Sequence, residues 1–240
     1  MEQLKNSLGP FELFAAIIGG SPFILAGFLI YNPVDSLADL ANVVQTLGDG
    51  GGALAIALTI LFLSYVIGGA IQGLSWLYFS RLCKLFKKDY HSLTRQIRDR
   101  FHVLQHGSPA QPHSLEFEDR LALQVHEKLG IPKNFGWLDS RLKVYLREHN
   151  SPSVAVAETM VASHIMYRNL SLGCLLLSVV SLLNTIRLGA LEPLLIVPLM
   201  AYLAYLMFLR AVSFKKWQNR ELLLGFYFAV TKETESDADH

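Results

Sequence analysis

The chain has 240 residues, of which 52% are hydrophobic and only 17% charged, and its formal net charge is +1. Globular proteins carry about 25% charged residues, and a nearly neutral chain has no overall attraction for nucleic acid. The charge is also withheld from long runs: residues 13–34, 50–80, 169–186 and 193–209 contain none. A helix on a soluble core needs a polar face, whereas about 20 apolar residues cross a hydrocarbon layer of roughly 30 Å. The composition therefore argues against a soluble bundle. It predicts an all-α protein: a four-helix transmembrane bundle with helices two and three extended into a cytoplasmic helical domain.

The first span is expected over Phe11–Tyr31, with Gly19-Gly20-Ser21-Pro22 kinking it unless neighbours satisfy its backbone, and Asn32-Pro33 ending it. Lys5 is the only basic residue before it, and no A-x-A-like cleavage site follows the apolar run. This pattern reads as a retained span, not a removed signal peptide. The next loop holds Asp35, Asp39 and Asp49, no lysine or arginine, and a short amphipathic piece over Val34–Leu47.

Span two is expected from Ala53 to Phe79. Trp76 and Tyr78 suit an interface, and the basic cluster Arg81, Lys84, Lys87 and Lys88 follows at once. Fourteen of the 21 Lys and Arg residues fall between 81 and 168, five follow span four, and only Arg187 falls in the opposite set of loops. By the positive-inside rule both termini and the 81–168 region are cytoplasmic, in a cell (inner or plasma) membrane. The basic cluster reads as a topology signal and an attraction to anionic lipid.

Residues 1–80 thus hold spans one and two, and 81–168 form a cytoplasmic helical domain. In it, Leu82, Phe86, Leu93, Ile97, Phe101 and Leu104 predict one helix continuing out of span two. Further helices are expected over Ser114–Leu129, stopped by Gly130, and over Trp137–His149. Ser151-Pro152 starts a long helix through Glu158, His164 and Arg168 into span three, Asn169–Ile186. A tight turn over residues 187–193 leads to span four, Leu194–Leu209, so that residues 169–212 hold the second pair of spans. Residues 213–240 are expected to form an interfacial helix over Gln218–Val230 and a disordered acidic tail from Thr231.

The spans lack ionisable side chains between their ends, and no G-x-S-x-G occurs. Intramembrane catalysis and proton coupling both need such groups, so no catalytic residue is assigned. Serines in the spans are expected to bond their own helix backbone. Gln72 and Asn184 are the deepest amides and are read as interhelical hydrogen-bonding or pore-lining groups. Gly69-x-x-x-Gly73 predicts close helix packing, within the chain or between copies. His102 and His106 have a helical i,i+4 spacing near Glu116 and Glu118, but without H-E-x-x-H or cysteine support no metal or cofactor is expected. Cys83 and Cys174 read as small apolar fillers. An interfacial enzyme would have to use Glu158, His164 and Arg168.

The Gly-Pro-containing first span, Tyr65-Val-Ile-Gly68-Gly69 in span two, and Tyr167-Arg168-Asn169-Leu170 before span three form a recognisable set. They resemble a loose group of bacterial four-span membrane proteins with a helical cytoplasmic insert. Some proteins of this build act in antiviral defence as membrane-disrupting effectors or sensors. The resemblance implies a class and no active-site residues. The expected function is a homo-oligomeric, channel-like or membrane-perturbing effector or sensor gated through its cytoplasmic helices. The alternative is a membrane scaffold that recruits a cytoplasmic protein partner.

Overall fold

A computed structural model describes residues 10–33, 39, 45, 52–90, 95, 97, 99, 117–130, 135–189 and 191–238. The helices are α1 (Pro10–Tyr31), α2 (Ala53–Ala70), α3 (Gln72–Leu85), α4 (Phe117–Leu129), α5 (Phe135–Glu148), α6 (Ser153–Leu188) and α7 (Glu192–Ala238), and no strand occurs among the described residues. Among the described residues, four helical segments are long and apolar enough to cross a membrane: Phe11–Tyr31, Ala53–Ala70, Ser153–Leu188 and Glu192–Glu233. The described residues are therefore all-helical apart from turns, and the chain has the composition of a multi-pass membrane protein.

The contacts divide it into two compact units, Met1–Lys88 with Ala162–Val212, and Asp89–Val161 with Ser213–His240. Helices α6 and α7 contribute to both.

In the first, apolar unit α1 passes through Pro22 without ending. Proline cannot donate to the carbonyl four residues back, that of Ile18, and the Ser21 hydroxyl donates to that same oxygen at 3.0 Å. The expected kink is thus met from within the helix. Span two differs from its expected form: it is two helices meeting at Ile71, although Ile71 N–H still donates to Ile67 O and Ser75 N–H to Ile71 O. Nor does α3 run on through the basic cluster: it takes in Arg81 and Lys84 and ends at Leu85. Lys87 adopts φ +51°, and its N–H and that of Lys88 turn back to Lys84 O and Cys83 O. This is a Schellman stop, which a 3.6-residue apolar repeat cannot reveal.

The polar unit has an aliphatic core. Leu121, Val125, Leu138, Leu142, Leu146, Ala157, Leu222, Leu223 and Phe226 are all buried, together with Ile97. Each such leucine or phenylalanine contributes roughly 1.5–3 kcal/mol relative to exposure. The stops here are local in origin: Gly130 (φ +66°) ends α4 as expected, and Asn150 (φ +49°) ends α5. Asparagine enters the left-handed region at less cost than most side chains. Gly225 lets α7 lie against α6, since a Cβ there would come within 2.6 Å of Ser153 Cβ.

Two expectations for the C-terminal part change. Span four does not end before a separate interfacial helix, and residues from Thr231 do not leave the helix: α7 is continuous from Glu192 to Ala238. Glu233 holds its end, accepting from Tyr145 Oη at 2.9 Å and Lys128 Nζ at 3.2 Å. The amphipathic piece over Val34–Leu47 lies almost wholly outside the described residues, as do Leu93, Phe101, Leu104, His102, His106 and Glu116.

Candidate functional site

The apolar unit holds its helices together through small residues and polar side chains that reach main-chain oxygens. A Cβ on Gly20 would overlap the Ser64 carbonyl, and one on Gly68 would overlap that of Ala16. Ala16-x-x-x-Gly20 and Ser64-x-x-x-Gly68 therefore face each other on antiparallel helices. Small residues at this spacing let backbones approach where lipid supplies no hydrophobic drive. Gly69 and Gly73, the pair singled out from sequence, meet nothing within 4 Å. The close approach within the chain belongs to the face that carries Gly68.

Where α2 gives way to α3, three side chains form a directed chain of hydrogen bonds. Arg168 Nε donates to Ser75 Oγ at 3.0 Å, and that hydroxyl donates to Asn169 Oδ1 at 2.6 Å. Asn169 Nδ2 then donates to Gly68 O at 3.2 Å. Arg168 Nη2 also reaches Gln72 O at 3.1 Å, and the guanidinium lies 5.4 Å from the Trp76 ring centroid. Arg168 is only 6% exposed, and these partners are all neutral. A buried cation without a carboxylate is costly unless its donors are occupied. Here a hydroxyl and a carbonyl accept from two of the five N–H donors, and an aromatic face lies against the group.

Between α6 and α7 the donors follow a strict repeat. His164 Nδ1 lies 2.9 Å from Ala211 O, Ser171 Oγ donates to Ala204 O at 2.7 Å, and Ser178 Oγ donates to Val197 O at 3.0 Å. Donors and acceptors both step by seven residues in opposite senses, the period of a left-handed antiparallel crossing. A carbonyl can only accept, so His164 carries its proton on Nδ1. Tyr78 Oη joins the ladder 3.2 Å from Ser171 Oγ. Ser171 and Ser178 thus bond the neighbouring helix, not their own as expected, and their burial excludes an accessible nucleophile.

The other sequence candidates separate. Asn184 is 4% exposed and donates to Leu29 O at 3.0 Å, the interhelical role expected of it, while its Oδ1 has no hydrogen-bond partner among the described residues. Gln72 is exposed, and its backbone carbonyl, not its amide, serves the network. Arg81, Lys84, Lys87 and Lys88 are all exposed. Glu158, His164 and Arg168 do not form one constellation: Glu158 pairs with Arg147, and the other two bond Ala211 O and Ser75. Cys83 and Cys174 are free thiols. No group of three metal-binding side chains occurs among the described residues.

The reading from sequence missed the seven-residue spacing of His164, Ser171 and Ser178, and the second small-residue pair. Both were present as regular intervals. What concealed them was that serine and alanine carry little signal alone. Comparison with protein-family models, with curated proteins and with solved structures gives no match.

Proposed function

We propose that the protein is a homo-oligomeric membrane sensor or effector, channel-like or membrane-perturbing, whose cytoplasmic helical unit controls the packing of a four-helix membrane bundle. The observation that carries this reading is that α6 and α7 each continue without interruption from a charge-free stretch into the polar unit. A helix is stiff along its axis, so a ligand or partner that shifts the polar end of α6 also loads Arg168, Asn169 and the seven-residue ladder. The break at Ile71, held by Arg168 and Asn169, is the element that such a load could rearrange. The basic side chains around residues 81–88 support a cytoplasmic placement of the polar unit.

The test is flux through liposomes loaded with a self-quenching dye and a potassium gradient, using the purified full-length protein and Arg168→Met. We expect leakage from an oligomer that changes by about tenfold or more in the variant, because a network bond to a charged group is worth roughly 1.5–3 kcal/mol. A strict monomer with no leakage in either form would discard the reading. Scaffolding of a cytoplasmic partner is favoured instead by the exposed Val144 (54%), Val156 (44%) and Phe228 (65%) of the polar unit. A binding test for it must use the whole chain, since residues 81–168 alone lack Leu222, Leu223 and Phe226 of that unit's core.

A further inference from the structure

A cavity of about 310 Å³ opens in the apolar unit between α1, α2, α3 and α6, lined among others by Glu12, Tyr65, Gly69, Gln72 and Ile165. We propose that it binds a primary ammonium group, that of a phosphatidylethanolamine headgroup. Its place follows from the helix register. Gly20 faces Ser64 and Gly68 faces Ala16, so Glu12, one turn before Ala16, comes level with Gln72, one turn beyond Gly68. The 18 residues of α2 rise about 27 Å, close to the hydrocarbon thickness. The cavity therefore lies at the neighbouring ends of two candidate spans, Phe11–Tyr31 and Ala53–Ala70, which puts Gln72 at headgroup depth and not deep in a span as expected from sequence.

Its chemistry suits a cation that donates hydrogen bonds. Glu12 is the lone carboxylate in the lining, and no cation pairs with it among the described residues. Gln72 and Tyr65 add an amide oxygen and a phenol. Three oxygen-bearing side chains match the three N–H donors of a primary ammonium, whereas a trimethylammonium has none to offer. The rest of the lining is apolar, from Ala15, Ala16, Val66, Ala162 and Ile165, and Val66 is 46% exposed as a surface for an acyl chain. Gly69 keeps the space open: it lines the cavity, and a Cβ there would meet no neighbouring atom within 4 Å.

Purified full-length protein in detergent, titrated with dioctanoyl phosphatidylethanolamine, phosphatidylcholine and phosphatidylglycerol and with free ethanolamine, tests this by native mass spectrometry. We expect phosphatidylethanolamine to be retained about tenfold better than phosphatidylcholine, the scale of one hydrogen bond to a charged group. Glu12→Gln should abolish that preference while leaving phosphatidylglycerol binding unchanged. Gly69→Leu should lower phosphatidylethanolamine retention by a similar factor with the melting temperature preserved. Equal retention of the two zwitterionic lipids would overturn the proposal, as would free ethanolamine binding as tightly as the lipid. So would a Glu12→Gln variant that melts earlier yet keeps its lipid preference, since Glu12 would then serve only the α1 N-terminus.

Discussion

The two units solve the same packing problem with opposite materials. The apolar unit brings helices together at Ala16, Gly20, Ser64 and Gly68 and fastens them with Ser75, Asn169, Ser171, Ser178 and Asn184, while many of its large apolar side chains face outward: Leu54 is 74% exposed and Phe62 65%. The polar unit does the reverse, with Leu142, Leu146, Leu222 and Phe226 at 1% exposure or less. The difference is what the surrounding medium dictates. In water, burying large aliphatic groups drives association. In lipid that drive vanishes, so backbone proximity and hydrogen bonds to carbonyls must replace it. The many exposed apolar side chains of this unit fit membrane-spanning helices, since large exposed apolar surfaces are rare on soluble monomers.

The contrast can be broken most severely at Gly68. Gly68→Val places side-chain atoms on the Ala16 carbonyl, and the overlap is with backbone, which has no rotamer to escape into. We expect a loss of more than about 3 kcal/mol, beyond ordinary overpacking, seen as failure to recover folded protein in mild detergent. Gly69→Leu, one residue away, should be recovered normally, and equal loss in both would show that α2 is not registered on α1 through Gly68. In the polar unit the equivalent break is a cavity. Leu142→Ala should cost about 2–5 kcal/mol, measured as a shift in the urea midpoint of the helical signal. A near-neutral result would mean that the core can collapse around the gap.

How far this organisation was legible from sequence follows the same divide. Charge-free runs announced the four apolar helices, because the bilayer tolerates little else, and the amphipathic repeats located α4 and α5 to within a few residues. Gly130 was readable as a stop because glycine is the usual left-handed residue. Lys87 was not, since nothing in a lysine signals positive φ, and that single residue ends α3 where the apolar repeat called for continuation. The site was harder. Gly69 and Gly73 have the familiar spacing, yet Gly68 lies on the packed face, and only the partner helix decides which of two adjacent glycines is used. Arg168 stood at the edge of a span and read as one of an interfacial polar trio with Glu158 and His164, whereas its buried partner is Ser75, 93 residues away.

The seven-residue ladder offers a milder test of the comparison. Ser171→Ala and Ser178→Ala each remove one donor to a carbonyl of α7, and each should cost about 0.6 kcal/mol, the average for such bonds in a membrane protein. Thermal unfolding in detergent of both single variants and the double variant checks this. Additive losses indicate independent rungs, whereas a double loss well above the sum shows that α6 and α7 separate as one. If neither variant melts earlier, the ladder marks register and contributes nothing to stability.

The smallest effect is expected at the end of α7, where the polar unit meets water. Partial burial and the hydrogen bond to Glu233 push the Tyr145 phenol up to about 12. The hydrogen bonds from Tyr145 and Lys128 hold the Glu233 carboxyl below the usual carboxylate range. The signs then differ at the two ends of the pH scale. The tyrosine is raised in the folded state, so its contribution is complete below about pH 10, the unfolded value, and is lost as pH rises toward 12. The glutamate is lowered, so its contribution is present above the ordinary carboxylate range and is lost as pH falls through it. Glu233 is solvated, and exposed pairs contribute little, so the acid limb should be a barely measurable decline in the melting temperature. The sharper reading is spectroscopic. Absorbance titration of Tyr145, isolated by difference against Tyr145→Phe, should show a midpoint near 12 that falls toward the ordinary value in Glu233→Gln. A midpoint that does not move would mean that burial alone raises the phenol. The acidic end of α7 would then be fastened by Lys128 without Tyr145, which would weaken the case that α7 can carry a displacement from its far end toward the ladder.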